Sequence, residues 1–324
     1  MDRSYYVAWW NVENLFDEEF APDRSEKLKR ALGRDLEGWT PELRDAKIAQ
    51  LAAVIARMND GEGPDLLGVC EIENERVLTL LRDAIVALLP GRHYGFAHAD
   101  TSDQRGIDVA FLFDSDLFSA GEKFQHVVMR RTATREILQV TFRTAAGRPW
   151  VLFANHWPSR SGGRFESDGY RAIAGETLAY FHQRVREIHG EDVPVLVMGD
   201  FNDEPFDESL VRHALSERQP ARVRSGRNPY LLNLTLDLLG EREGTFYFAN
   251  EPNVLDQVLV NASMLRAGAP LAARPETLEL IRFPGMVKKG NYPAPVPFGG
   301  MGKPVNRQGY SDHSPIATTV VERV

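Results

Sequence analysis

The sequence has few of the features that mark disulfide-rich, membrane-spanning or zinc-binding proteins. Its single cysteine, Cys70, has no partner for an internal disulfide and lies in an apolar run, as a buried thiol does. No apolar run approaches the length of a membrane-spanning helix, and no basic and apolar leader opens the chain. Cysteine and histidine pairs at zinc-finger spacing are also missing. We therefore expect a cytoplasmic protein without a membrane span, and secretion of a processed form stays open.

An excess of positive charge is missing too. The formal net charge is −8 in 324 residues, which argues against a broad cationic surface for non-specific binding of nucleic acid. Local phosphate binding stays compatible with this charge, because enzymes that act on phosphates through a metal ion carry clustered carboxylates. The composition is that of an ordinary globular protein. The sequence has no internal repeat and no clear linker. We expect one domain over residues 1–324, and a monomer.

Helix and strand patterns alternate along the chain. Apolar residues at helical spacing predict helices at 41–58, 74–89 and 167–189, with Thr40 and Ser167 as N-caps, and a further helix near 208–215. Shorter apolar runs predict strands at 5–10, 64–70, 107–113, 136–144, 150–154, 193–198, 254–260 and 316–321. We expect the strand at 136–144 to have one face in solvent. Segments 16–39, with a helical turn at 25–32, and 283–308 are predicted to be long connections.

Polar side chains recur where these strands end. Asn11 and Glu13 stand two residues apart after the first strand, which would place an amide and a carboxylate on one face of an extended chain. Asp200 and Asn202 repeat this pattern, and Glu71 follows the strand at 64–70. Each case alone is also typical of a turn. Further titratable groups lie at or near strand ends: His156, Asp256, Asp312 and His313.

The recurrence predicts a common cleft, because side chains along one edge of a packed sheet can converge. Carboxylate and amide oxygens are the ligands that Mg²⁺ or Mn²⁺ prefer. Asp256 lies inside an apolar run and needs a partner if it is buried. Arg105 offers a planar donor for a phosphate oxygen, although a solvated arginine is the alternative. We also assign Asn155 and Arg160, on either side of His156, to substrate binding.

Six short motifs carry a resemblance to a known family. They are, in chain order, WNVEN, CEIEN, NHWPSR, GDFND, LDQVLV and YSDHSP, and they extend from residue 10 to residue 315. In this order the chain resembles the endonuclease/exonuclease/phosphatase superfamily. The resemblance implies an α/β fold of the α+β kind, a four-layer α-β-β-α sandwich of two packed mixed sheets with the site at one edge. It also implies hydrolysis of a phosphoester with Mg²⁺ or Mn²⁺.

The resemblance also implies roles for single residues. Glu71 takes the place of the principal metal ligand, with Asn11 and Asp312 near the same ion and Glu13 as a further acidic neighbour. The catalytic positions are Asp200 and Asn202, which place water and phosphate, His313, which is oriented by Asp256 at the scissile phosphate, and His156, which acts on the phosphate or the leaving group. Whether Asp200 or His313 is the base, and whether one or two metal ions bind, stays open.

A nuclease is the first interpretation of the substrate. Glu73, two residues after Glu71, departs from the deoxyribonuclease pattern and would repel a nucleic-acid backbone unless a cation intervenes. A phosphatase or phosphodiesterase acting on inositol phosphate or a lipid headgroup is the enzymatic alternative, which a basic and aromatic pocket from 283–308 would favour. A non-catalytic phosphate-binding module is the alternative from another class.

Overall fold

Two mixed β-sheets pack face to face, and helices cover their outer faces. The computed structural model describes residues 2–103, 105–131, 134–160, 163–240 and 242–323. The strands are β1 (Arg3–Leu15), β2 (Leu66–Ile72), β3 (Tyr94–His98), β4 (Asp108–Asp114), β5 (Phe118–His126), β6 (Ile137–Thr144), β7 (Pro149–His156), β8 (Val195–Asp200), β9 (Ser216–Glu217), β10 (Leu231–Asn233), β11 (Phe246–Phe248), β12 (Glu251–Asn253), β13 (Asp256–Asn261), β14 (Leu271–Leu280) and β15 (Ile316–Glu322). The α-helices are α1 (Glu26–Leu32), α2 (Pro41–Arg57), α3 (Glu75–Leu88), α4 (Arg164–His189) and α5 (Pro220–Ser225). Short 3₁₀ segments lie at Gly33–Leu36, Asn59–Gly61, Leu234–Leu238 and Ala262–Leu265, and Ser209–His213 forms a π-helical turn.

The strand order shows how the sheets are built. One sheet has six strands in the order β14-β15-β1-β2-β4-β3, and the other has seven in the order β5-β6-β7-β8-β13-β10-β9. β1 pairs in parallel with β2, and β7 with β8, while most other neighbours are antiparallel. Both sheets are therefore mixed, as predicted. The hairpin of β11 and β12 stands apart from them.

Three apolar layers hold the sandwich together. Large side chains such as Trp9, Phe142 and Trp150 fill the space between the sheets and are fully buried. The helices α2 and α3 cover the outer face of the six-stranded sheet, and α4 covers the seven-stranded sheet. Burying each such side chain contributes about 1.5–3 kcal/mol. The four-layer α-β-β-α prediction is confirmed. No helix in the described parts of the chain is both long enough and apolar enough to cross a membrane.

Two local predictions were wrong. The helix α4 begins at Arg164 rather than after Ser167, and the Ser167 hydroxyl donates within the first turn to the Gly163 carbonyl at 2.6 Å. The strand β6 has no continuous wet face, since seven of its eight residues are buried. Its alternating polar residues lie in a sheet that is covered on one face by the other sheet and on the other face by α4.

The long connections 16–39 and 283–308 pack against each other. The predicted turn at 25–32 is α1, whose N-cap Ser25 accepts a hydrogen bond from the Leu28 amide at 3.2 Å. Further along, the Trp39 ring packs edge-on against Phe298 at 6.0 Å between ring centroids. The segment 283–308 is therefore tied to the 16–39 connection by a small apolar cluster.

Candidate active site

Three polar side chains lie side by side at one edge of the seven-stranded sheet. In the parallel pair of β7 and β8, His156 stands opposite Asp200. In the antiparallel pair of β8 and β13, Asp200 stands opposite Asp256. The sheet register thus places two carboxylates and an imidazole in one row. This is why residues separated by a hundred positions meet in one place.

The six-stranded sheet brings an amide and a carboxylate to the same edge. Asn11 Nδ2, near the end of β1, lies 3.3 Å from Glu71 Oε1 and 3.1 Å from Asp200 Oδ2. Glu71 Oε2 accepts the Asn14 amide at 2.7 Å. His156 Nε2 lies 3.7 Å from Glu71 Oε1 and 3.8 Å from Asp200 Oδ2. Asn11 therefore links the two sheets at the point where their polar ends converge.

An aspartate fixes the second imidazole. His313 Nδ1 lies 2.6 Å from Asp256 Oδ2, and Trp9 Nε1 donates to the other oxygen of Asp256 at 2.9 Å. Asp256 thus has the partners that its burial requires. The Trp10 indole donates to the His313 carbonyl at 2.9 Å. The free Nε2 of His313 lies 3.9 Å from Asp200 Oδ2, so the ring is held with one nitrogen directed at the cluster.

Burial and neighbouring charges separate the two imidazoles. Burial lowers the pKa of His156 well below its ordinary value, and the Arg135 guanidinium lowers it further. Burial also opposes the charged form of His313, but the Asp256 carboxylate outweighs it and holds the pKa of His313 well above its ordinary value. Burial raises the pKa of Asp200 to about 7. At neutral pH the site therefore holds a charged imidazole beside a neutral one.

Left-handed backbone conformations concentrate at this edge. The φ angles are 53° at Glu13, 52° at Asn14, 66° at Glu71 and 52° at Asn202. Such conformations cost on the order of 1–3 kcal/mol each for residues other than glycine and are typical of functional sites. They also break the extended geometry, so the expectation that Asn11 and Glu13 share one face was wrong.

Glu13 instead faces the 283–308 segment. Its Oε2 accepts the amides of Phe298 at 2.8 Å and Gly299 at 3.3 Å, and it lies 3.9 Å from the buried Lys47 ammonium. The carboxylate lies outside the group of Glu71, Asp200 and Asn11. It fastens the long connection behind the site, and none of the described residues in 283–308 lines the catalytic cavity.

A cavity of about 780 Å³ opens onto the cluster. Glu71, Asp312 and His313 are among the residues that line it. Its lining also includes Arg105, His156, Arg160, Asp200, Asn202, Phe246 and Phe248. Asn155 does not line it, because its amide donates to the Met198 carbonyl at 3.3 Å and accepts the Trp157 indole at 3.0 Å.

Arg160 lines the cavity but is held by other groups. It donates to the Asn202 carbonyl at 2.7 Å and to Asp207 Oδ2 at 2.8 Å, and it pairs with Asp203 at 3.0 Å. Arg105 is half exposed and lies 4.0 Å from Asp103. Of the two predicted arginines, Arg105 is thus the freer to turn toward a ligand.

Arg135 is among the residues that shape the site and that sequence reasoning missed. Arg135 is buried and donates to the His156 carbonyl at 3.2 Å and to the Trp157 carbonyl at 2.8 Å. It also reaches Asp103 at 3.4 Å, in the loop that carries Arg105. Arg135 follows no predicted strand end and stands in a charged stretch, so its sequence context carried no signal.

Glu73 departs from the deoxyribonuclease pattern, but it is not the free negative charge that this departure suggested. It is buried, and both its oxygens bind the Arg24 guanidinium, at 2.5 Å and 2.7 Å. It also accepts the Asp17 amide at 2.6 Å. A cation of the chain itself therefore neutralises Glu73, and this carboxylate does not line the catalytic cavity.

The chemistry of the cluster fits a divalent cation. Glu71, Asp200 and Asp312 bring three carboxylates to one cavity, with Asn11 between the first two. The ammonium of Lys303 lies 3.9 Å from Asp312, with most of its side chain in solvent. Such an excess of carboxylate oxygen suits a hard cation such as Mg²⁺ or Mn²⁺. The Asn11 oxygen accepts the Glu13 amide at 3.0 Å, and its Nδ2 faces the carboxylates.

Comparisons with known proteins agree with this architecture. The family model described as "Endonuclease/Exonuclease/phosphatase family" matches residues 6–322. No curated protein sequence matches the chain significantly. Three solved structures have similar folds: a Bacteroides thetaiotaomicron protein of the endonuclease/exonuclease/phosphatase family (TM-score 0.56, 16% identity, 100% of both chains covered), D. rerio TDP2 complexed with single-strand DNA product (0.59, 15%, 98% of both) and a mannosyl-6-phosphatase of Bacteroides thetaiotaomicron (0.54, 16%, 98% of this chain and 99% of that one).

Proposed function

We propose that this chain, which belongs to the endonuclease/exonuclease/phosphatase family, is a divalent-metal-dependent nuclease. Family membership makes it a phosphoester hydrolase, and the preference for phosphodiester bonds of nucleic acid is our proposal. The observation that carries the proposal is the meeting of Glu71, Asp200 and the Asp256–His313 pair at one cavity. A non-catalytic module would be expected to have lost one of these groups, and all of them are present at the cavity.

We assign the cation to Glu71, with Asn11 and Asp312 beside it. Bound there, it would act as a Lewis acid and offset charge on the phosphoryl oxygens. Glu13 is not among the ligands that we propose, because its oxygen accepts backbone amides of the 283–308 segment. We assign Glu13 to holding that segment.

The remaining groups divide the work between proton transfer and charge stabilisation. Asp200, whose pKa burial raises to about 7, suits a general base at neutral pH. His313 is held in its charged form by Asp256 and would donate from Nε2 to a phosphoryl oxygen. Neutral His156, Asn202 and Arg105 would then hold the phosphate or the leaving oxygen. These assignments favour Asp200 over His313 as the base.

The shape of the cavity supports a nucleic-acid substrate. Phe248 is 72% exposed, and it lines the cavity together with Phe246, whose ring centroid lies 4.8 Å from that of His313. Exposed aromatic rings beside a phosphate site are suited to stacking bases of a single strand. The structural neighbour TDP2 was solved with single-strand DNA product, which is in keeping with this choice.

A phosphatase acting on a small phosphate ester is the second candidate. A mannosyl-6-phosphatase shares the fold at nearly the same TM-score as TDP2, so the architecture fits both activities. The pocket from 283–308 that would have favoured inositol phosphates is not part of the catalytic cavity. The nuclease therefore stays the first candidate.

A turnover assay tests the proposal. Single-stranded DNA, duplex DNA, RNA, inositol phosphates, a sugar phosphate and a generic phosphodiester are each incubated with and without Mg²⁺ or Mn²⁺. We expect cleavage of single-stranded nucleic acid that chelator abolishes, and His313→Ala to lower the rate by about 10²–10⁴ with the fold intact. Product from monoesters alone would favour the phosphatase over the nuclease. Turnover without a divalent cation would contradict the proposed metal dependence.

A further inference from the structure

A second cavity lies at the opposite end of the seven-stranded sheet. It has a volume of about 150 Å³, and residues of α4, α5 and the segment after β13 line it. Asn261, the last residue of β13, belongs to its lining, whereas Asp256, the first, lies in the active site. At about 3.3 Å per residue the strand separates these two positions by about 17 Å. The cavity is therefore distinct from the catalytic one.

Positive charge surrounds this cavity. Three arginines line it from three different elements, namely Arg186 of α4, Arg224 of α5 and Arg266 after β13, against one carboxylate, Glu191. Arg186 pairs with Glu191 at 3.3 Å, and Arg266 pairs with Asp192. Among the described residues Arg224 makes no ion pair. The balance of charge at the cavity is thus positive, in a chain whose net charge is −8.

A buried imidazole completes the lining. His182 is 1% exposed, and neither of its ring nitrogens makes a hydrogen bond of ordinary geometry to a residue that the structure describes. The Pro229 carbonyl lies outside that geometry but near enough to raise the pKa of the ring slightly against the effect of burial. A buried polar group without such a bond costs about 1–3 kcal/mol. A ligand oxygen in the cavity would accept from the ring and remove that cost.

We propose that this cavity binds a phosphate group. Guanidinium groups suit phosphate oxygens because their donors match the spacing of these oxygens. A volume of about 150 Å³ admits a phosphate group but is below the roughly 300–1,000 Å³ of sites for larger organic ligands. The phosphate comes either from free inorganic phosphate or from the end of a nucleic-acid strand, and the site is independent of the catalytic proposal.

Calorimetric titration of inorganic phosphate into the full chain tests the site. EDTA is present throughout, so that no divalent cation contributes. Arg224→Glu is compared with Arg227→Glu, a change of equal charge at an exposed residue three positions on that does not line the cavity. We expect Arg224→Glu to weaken phosphate binding about tenfold or more, and Arg227→Glu to keep it within about twofold.

Two outcomes would overturn the proposal. One is an equal effect of the two variants, which would mean a general effect of charge. The other is phosphate binding that His313→Ala removes entirely, which would place all of it at the catalytic cavity. A short oligonucleotide with and without a 5′ phosphate then separates the sources. Competition by the phosphorylated form alone assigns the site to a strand end, and competition by neither assigns it to free phosphate.

Discussion

The two ends of the seven-stranded sheet hold buried histidines in opposite electrostatic states. At the catalytic end, Asp256 lies 2.6 Å from His313 Nδ1, and the pKa of His313 is raised. At the other end, burial and then the Arg186 guanidinium lower the pKa of His182 to about 3. Both rings are nearly inaccessible to solvent. The difference between them is therefore set by the neighbouring charge rather than by the depth of burial.

The comparison distinguishes the effect of burial on the pKa of a histidine from the effect of a neighbouring carboxylate. A buried imidazole without a carboxylate at hydrogen-bonding distance loses its proton, because the interior disfavours the charged form. His156 also follows this rule, with Arg135 in the place that Arg186 takes beside His182. The Asp256 carboxylate at hydrogen-bonding distance is the main group that reverses the rule and raises the pKa of His313, and the Asp200 and Asp312 carboxylates add to it. The Asp256 side chain is thus the feature that makes the catalytic end chemically different.

Replacing Asp256 is expected to have the largest effect. Asp256→Asn keeps the shape and an acceptor for the Trp9 indole but removes the charge that holds His313 protonated. We expect kcat to fall by about 10²–10⁴, which corresponds to about 3–5 kcal/mol of transition-state stabilisation. Steady-state kinetics on the substrate found in the turnover assay would measure the loss.

A second aspartate–histidine pair supplies the control for this substitution. Asp108 binds His98 Nε2 at 2.9 Å, is equally buried and lies away from the catalytic cavity. We expect Asp108→Asn to change kcat by less than about fivefold, since no charge at the reacting phosphate is altered. Equal losses in the two variants would show that buried Asp–His pairs only support the fold, and the contrast between the two sheet ends would lose its catalytic meaning.

Arg135, which lies beside His156, allows a second test of the difference between the two ends of the sheet. Its removal leaves the buried His156 carbonyl without this donor, whereas the Trp157 carbonyl keeps the Asn202 side-chain amide at 3.0 Å and Asp103 keeps the Arg105 backbone amide at 2.9 Å. Arg135→Gln is therefore expected to lower the free energy of unfolding by about 1–3 kcal/mol. We also expect kcat to fall about tenfold, because His156 loses its backbone support. Urea denaturation and kinetics on the same preparation measure both.

The equivalent arginine at the other end serves as the reference. Arg186 is partly exposed and bonds Gln183 and Glu191 at 3.3 Å, so Arg186→Gln is expected to cost less than about 1 kcal/mol. It should leave kcat unchanged, as it lies far from the catalytic cavity. If Arg135→Gln were as mild as Arg186→Gln, the two arginines would be alike and the support of His156 would have to come from elsewhere.

Much of the fold was predictable because its elements carry local signals. Apolar periodicity located α2 and α3 and the central strands, and Asn74, where the predicted second helix began, accepts the Val77 amide at 3.0 Å as its N-cap. The strand β5 was missed since it lies at an edge with seven of its nine residues exposed, so it has no apolar run. The strand β14, also at an edge, has no clean alternation, and only three of its ten residues are buried.

The site was predictable to the extent that its residues follow strands. Asp200, Asp256 and His156 lie where strand positions fix them, so their convergence follows from the register. Glu13 escaped prediction because it has a left-handed φ, which a glutamate does not signal, and its side chain contacts the 283–308 segment. The single domain and the monomer stay predictions. The cavity at His182 is lined by three elements that are separated in the chain, so no sequence motif predicted it.

The smallest effect that we predict concerns stability in acid. The pKa of His182 is about 3 in the folded chain, against an ordinary value of 6.5. Above pH 6.5 the ring is neutral in both states and contributes no pH dependence. Below it the unfolded chain binds a proton that the folded chain does not, so the free energy of unfolding falls as the pH falls toward 3. At pH 5 the loss amounts to about 2 kcal/mol, since one pKa unit corresponds to about 1.36 kcal/mol.

His182→Leu should remove this loss, because leucine has no proton to bind. We expect the difference in unfolding free energy between the variant and the original chain to grow by about 2 kcal/mol, in favour of the variant, between pH 7 and pH 5. Urea denaturation in buffers without phosphate or sulfate measures it, and His189→Leu at the exposed end of α4 is the control. Its pH dependence should follow that of the original chain. If the difference in unfolding free energy between His182→Leu and the original chain stayed constant from pH 7 to pH 5, the folded chain would protonate His182 as readily as the unfolded chain does. The buried histidines at the two ends of the sheet would then not differ in the way that their neighbouring charges require.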